Sequence, residues 1–142
     1  MQHDLKRFVE AQAGIYHGVL DELRHGHKTG HWMWFVFPQI AGLGRSEVSR
    51  FYAIGSLDEA RAYLADPVLG PRLRECADVL VNLSDARDPE AIFGPIDAVK
   101  LRSSMTLFEL AAPHEPAFSR VLDRFFGSER DPATLRLAGE AP

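Results

Sequence analysis

Lys28, His31, Gln39 and Arg45 flank an unbroken apolar run, Trp32-Met-Trp-Phe-Val-Phe37, that holds both tryptophans of the chain. Those residue types can build one kind of site: a planar group stacks on an indole while nearby cations hold its charge. Trp32 and Trp34 are the candidate rings, Lys28 and Arg45 the candidate cations, and Gln39 and His31 the polar groups that orient a ligand. The alternative is that the block is core, because clustered aromatics more often fill a domain's interior. A second polar group is the segment Asp97-Ala-Val-Lys100-Leu-Arg102-Ser103-Ser104, in which Asp97, Lys100 and Ser104 share one helical face at spacings of three and four. Read as a site, Lys100 and Arg102 bind an anionic group, Asp97 acts as base or hydroxyl ligand, and Ser104 fixes orientation. Read as structure, the same residues are a capping aspartate, an ion pair and a solvated edge. Asp97, Ser104 and His31 are thus the candidates for catalysis.

Other constellations carry less. His25, His27 and His31 are separated by Gly26 and Gly30, which break the helix that would converge them, and zinc needs three or four converging ligands, so no metal is expected. Gly42-Leu-Gly44-Arg45-Ser46 precedes a predicted helix, where free backbone N–H groups beside an arginine can hold a phosphate. It lacks the preceding strand of a dinucleotide fingerprint, and a plain turn into a capped helix is the favoured account. Cys76 lies on an apolar stripe and is expected to be inert. No nucleophile elbow is present, so a Ser-His-Asp triad is not argued. No cofactor is implied.

The elements that must position these residues read as helices. Asp4 to Gly26 carries Leu5, Phe8, Val9, Tyr16, Val19, Leu20 and Leu23 on one face and ends in Arg24, His25 and Gly26, a basic last turn and a left-handed stop. Ser46 to Ile54 predicts a short helix, and Ser56 followed by Glu59 is a capping box. Asp66-Pro67, Asp88-Pro89 and Asp131-Pro132 each fit an N-cap followed by proline at the first helical position. Apolar stripes continue through Leu69, Leu73, Cys76, Ala77 and Leu80, then Leu101, Met105, Phe108 and Ala112, then Phe118 to Phe126 before Gly127. No segment alternates apolar and polar residues in the manner of a strand. The expected fold class is all-α: a compact single-domain bundle of about six or seven helices over residues 1–142, best marked up to about residue 127. The run from Trp32 to Phe37 has no polar face, so it is expected to thread the bundle as an irregular or short extended piece.

At 142 residues, 46% hydrophobic and 25% charged, the chain matches an average globular domain, which excludes disorder. A net charge of −4 without long runs gives no phosphate-tracking surface, so general nucleic-acid binding is not expected. The longest apolar run is far short of the roughly 20 residues that cross a bilayer, and the N-terminus has no export pattern. With a single cysteine no internal disulfide can form, and the cytoplasm is the expected location. Oligomeric state is left open.

Three stretches, GHWMWFVFPQIAGLGRSE, YLADPVLGPRL and IFGPIDAVKLRSSMTLF, resemble the bacterial family catalogued as domain of unknown function 1810, whose members are sometimes labelled calpastatin. The resemblance runs from about Asp4 to Gly127. It implies a compact all-helical domain with no established biochemical activity, and it carries over no catalytic residues. A calpain inhibitor of that kind is a disordered chain, whereas this composition belongs to a folded one. Two functions follow as expectations. One is a small-molecule binding domain for a nucleotide-like or ADP-ribose-like anion, with hydrolysis of that ligand as its enzymatic form. The other is a protein-interaction module whose aromatic block is purely structural. A pocket lined by both the 28–45 and 97–104 segments favours the first.

Overall fold

The computed structural model describes residues 3–84 and 88–140. The ends of the predicted 1–142 domain, residues 1, 2, 141 and 142, and the stretch 85–87 lie outside the described residues. Nine helices occur among those described, against the six or seven expected. Two local breaks account for the difference. The segment predicted as one helix from Asp4 to Gly26 is two, α1 (Lys6–Gln12) and α2 (Tyr16–His25), because Gly14 takes a φ of 77° and turns the chain between them. The aromatic block, expected to be irregular or extended, winds into a single turn, α3 (Met33–Val36).

The remaining elements begin close to where the capping signals put them. Ser46 accepts a hydrogen bond from the Ser49 amide at 3.1 Å at the start of α4 (Glu47–Phe51). Ser56 accepts from the Glu59 amide at 3.1 Å and opens α5 (Leu57–Ala65), while Glu59 reaches back to the Gly55 amide at 2.7 Å. Asp66 accepts from the amides of Val68 and Leu69, so α6 (Leu69–Val81) starts two residues beyond Pro67. Asp88 caps α7 (Pro89–Ala111), and Asp131 accepts from the Thr134 amide at 3.2 Å at the start of α9 (Pro132–Glu140). Between these two, α8 (Pro116–Phe126) stops at Gly127, whose φ of 58° is the left-handed cap expected of glycine.

The long α7 is the spine. It packs on α5, α8 and α9, while α6 bridges α8 and α2, and α3 sits on α1. Phe8, Phe37, Tyr63, Phe108 and Phe118 are fully buried in one connected core. Each such side chain contributes about 1.5–3 kcal/mol by leaving water. Among the described residues there is no sheet, only a parallel bridge in which Ala41 donates to the Ile54 carbonyl and the Ile54 amide donates to the Gln39 carbonyl, both at 2.8 Å. That bridge anchors the 39–45 loop on the segment ahead of α5. Near its start α7 is kinked at Gly94, where φ is 81° and ψ 161°, and Pro95 follows with no N–H to donate. The kink sends the turn carrying Ile96, Val99 and Lys100 toward α3 and the loop. Among the described residues no helix is long and apolar enough to cross a membrane.

Two carboxylates clamp the helices from outside. Glu109 accepts from Arg130 and from the Ser119 hydroxyl at 2.7 Å, and Glu115 pairs with Arg74 through two bonds of 2.8 and 2.9 Å. Hydrogen bonding to Arg130 holds Glu109 below the usual carboxylate range, and hydrogen bonding to Arg74 does the same for Glu115. A carboxyl whose folded value is depressed stabilises the fold above its unfolded value, and that stability disappears as pH falls through the folded one. Stability is therefore expected to be steady near neutrality and to drop below about pH 4.5. Glu109→Gln and Glu115→Gln should lower stability at pH 7 and flatten that acid loss, as urea unfolding at pH 7, 5 and 3 would measure. An unchanged acid slope in both variants would remove these pairs as its source.

Candidate functional site

The two tryptophans of the aromatic block end in different places. Trp32 is the N-cap of α3 and Trp34 lies within its turn, and the two rings part on leaving the backbone. Trp32 is 3% exposed, packs on Phe37, and its indole N–H donates to Glu22 Oε1 at 3.1 Å. The same oxygen accepts from the amides of Thr29 at 2.6 Å and Gly30 at 2.9 Å. Burial pushes the Glu22 carboxyl up, but the Gly30, Thr29 and Trp32 donors outweigh it and hold it below the usual range. Trp32 is thus a saturated part of the loop that joins α2 to α3. Trp34 is only half-buried, and its indole N–H has no partner among the described residues. Lys100 Nζ sits 4.5 Å from the Trp34 ring centre.

Trp34 forms the floor of an open cleft of about 660 Å³. One wall is the loop after α3, with Gln39, Leu43 and Arg45. A second wall comes from α7 just past its kink, with Ile96, Val99, Lys100 and Ser103, and Asp131 also lines the cleft. A smaller hollow of about 120 Å³ adjoins it around Trp34 and Gln39 and reaches Arg50. The volume falls within the range of small-molecule sites.

Behind the α7 wall lies an ion triad. Lys28 Nζ contacts Asp97 Oδ2 at 2.7 Å, and Lys100 Nζ lies 3.4 Å from Asp97 Oδ1. The Lys28 side chain is 7% exposed and also donates to the Gly30 carbonyl at 2.5 Å. Arg45 is exposed and makes no ion pair among the described residues. Asp131 Oδ2 accepts from the Ser103 hydroxyl at 2.9 Å and from the amide and hydroxyl of Thr134.

Of the residues singled out in the sequence, the cleft brings together Trp34, Gln39, Arg45 and Lys100. Others lie elsewhere. Lys28 and Asp97 stand behind Lys100, each neutralising the other, and Trp32 is in the core. His31 is exposed on a separate hollow of about 410 Å³ with Glu22 and Trp32. Ser104 is fully buried, and its hydroxyl has no hydrogen-bond partner among the described residues, while Arg102 donates to the carbonyls of Glu129 and Arg130. Both oxygens of Asp97 face lysines, which leaves Asp131 as the carboxylate on the cleft itself. Three lining residues, Ile96, Val99 and Ser103, were not picked from the sequence. They share the face of Lys100 at helical spacings, a signal that becomes readable only once the orientation of α7 is known. Cys76 is buried, and burial pushes its thiol up to about 12, so it stays protonated at neutral pH. Among the described residues no group of three His, Cys, Asp or Glu is placed to hold a metal ion.

No curated protein matches the chain. A crystal structure of the conserved hypothetical protein Rv1873 from Mycobacterium tuberculosis is similar to it, with 50% sequence identity, 96% of each chain covered and a TM-score of 0.93. The family described as a protein of unknown function, DUF1810, matches residues 2–138, and the chain belongs to it.

Proposed function

We propose that the cleft over Trp34 binds a small anionic molecule with a planar group, nucleotide-like or ADP-ribose-like, and that hydrolysis of such a ligand is the chemistry it could support. The ring of the ligand lies against Trp34, Gln39 reads its polar edge, and Lys100 and Arg45 face its charge. The observation that supports this most is the contrast between the two tryptophans: the Trp32 N–H is spent on Glu22, whereas the Trp34 N–H and the Gln39 amide have no partner among the described residues and line a cleft beside an unpaired arginine. Polar groups left open this way are the usual recognition elements of a ligand site. The rival reading, a protein-interaction module, draws on the exposure of Ile96 (73%) and Val99 (62%) at the rim of the same cleft.

Trp32 and Trp34 are the only tryptophans, so intrinsic fluorescence reports on this segment alone. Nucleotides, NAD, ADP-ribose, sugar phosphates and small carboxylates would be titrated while emission and melting temperature are followed. At least one anion is expected to quench emission and raise the melting temperature. Arg45→Ala or Lys100→Ala should weaken that response about ten- to hundredfold, the worth of a hydrogen bond to a charged group. A response that survives both substitutions would refute the assignment of residues, and silence across the panel would put the interaction module ahead.

A further inference from the structure

We infer that the cleft selects a ring that carries a single acidic group, a carboxylate or a phosphomonoester, and discriminates against polyphosphates. This rests on the reading of the cleft as an anion site and narrows its ligand class. Two observations carry it, one of charge and one of shape.

The cations at the cleft are already largely matched. Lys28 and Lys100 share the one charge of Asp97, and Asp131 places a second carboxylate on the lining that Arg45 also contributes to. Three cations against two carboxylates leave an excess of one positive charge, and Arg50 in the adjoining hollow raises it only to two. Each further ligand charge would sit in a partly dry cleft without a partner and beside Asp131, which is costly. A nucleoside triphosphate brings more charge than this lining can match, whereas a carboxylate carries one negative charge and a phosphomonoester about 1.5 to 2 at pH 7, within the excess of two that includes Arg50.

Apart from Lys100 and Ser103, the α7 wall is apolar. Pro95, Ile96 and Val99 line the cleft together with Leu43, and Ile96 and Val99 are 73% and 62% exposed as the cleft stands open. Those side chains offer a phosphate oxygen no donor, and the Ser103 hydroxyl already donates to Asp131. A ring lying between it and Trp34 would remove both side chains from water, at about 25 cal/mol per Å² of apolar surface. The apolar wall and the small charge excess therefore favour the same ligand: mostly ring, with one acid directed to Arg45 and Lys100.

The test is calorimetric titration of the full chain at fixed salt with adenosine, adenosine monophosphate, diphosphate and triphosphate, and with indole-3-acetate as a ring-bearing monocarboxylate. The monophosphate or the carboxylate should bind at least about tenfold tighter than the triphosphate, and whichever wins identifies the acid. The uncharged nucleoside should bind more weakly than the monophosphate. The double variant Ile96→Ser/Val99→Ser, placed on exposed positions where the core is untouched, should weaken the best ligand about tenfold. Affinity that rises with phosphate number, or that ignores the double variant, would overturn this inference. If Arg45→Ala still weakens such polyphosphate binding, the anion site itself stands. Adenosine binding as tightly as its monophosphate would also overturn it, and no binding by any of the five would overturn both readings.

Discussion

Trp32→Ala is expected to cost about 3–5 kcal/mol of folding stability, and Trp34→Ala no more than about 1–2, although only Met33 separates the two residues. The asymmetry follows from what each ring touches. Removing the Trp32 ring empties a site that is 3% exposed, takes away packing against Phe37, and strips Glu22 of one of its donors. Removing the Trp34 ring widens a space that is already open and loses the contact with Lys100, worth about 0.5–1 kcal/mol at an exposed site. Phe37→Ala should behave like Trp32→Ala, since Phe37 is fully buried and meets Phe93 edge-on. Urea unfolding followed by far-UV circular dichroism measures all three without relying on the rings removed. Equal and severe losses at Trp32, Trp34 and Phe37 would leave the aromatic block with a structural role only.

That asymmetry was not legible in the sequence, and the reason is specific. The block Trp32 to Phe37 announces burial by composition, but which tryptophan is saturated depends on Glu22, ten residues earlier on another helix. Local signals did better where the physics is local. Ser46, Ser56 and Asp88 cap the helices they were expected to cap, because a side-chain acceptor and an amide two or three residues on need no tertiary help. Periodicity failed where one glycine could be read either way. The apolar spacing continues smoothly across Gly14, yet α1 stops at Gln12 and the positive φ of Gly14 turns the chain before α2 begins at Tyr16. Phase also misdirected the reading of α7. Ser104 shares a face with Lys100 by simple counting but is buried against the core, whereas Ser103, one position earlier, lines the cleft and holds Asp131. On a helix buried over most of its circumference, a shift of one residue is about 100° and decides between cleft and core.

Asp97→Ala is expected to destabilise the protein by about 3–5 kcal/mol, because it strands a buried ammonium. Once Asp97 is gone Lys28 keeps the Gly30 carbonyl and the Trp32 ring face at 5.1 Å but no counter-charge, and its side chain is 7% exposed, too little for water to replace the carboxylate. Lys28→Met should cost less, since Asp97 still has Lys100 at 3.4 Å and is itself 21% exposed. Lys28→Met/Asp97→Ala should recover most of the loss, as replacing both members of a buried pair with apolar groups is often nearly neutral. A double-mutant cycle in urea reads the coupling directly, and an Asp97→Ala cost below about 1 kcal/mol would mean the triad carries no structural weight. The same double variant separates structure from chemistry at the cleft. With stability restored, Lys100 no longer shares a carboxylate, so an anion bound at Arg45 and Lys100 should bind at least as tightly as before. If binding instead disappears from that stable variant, Asp97 contacts the ligand as a base or hydroxyl partner would, and its place behind Lys100 changes when the cleft is filled.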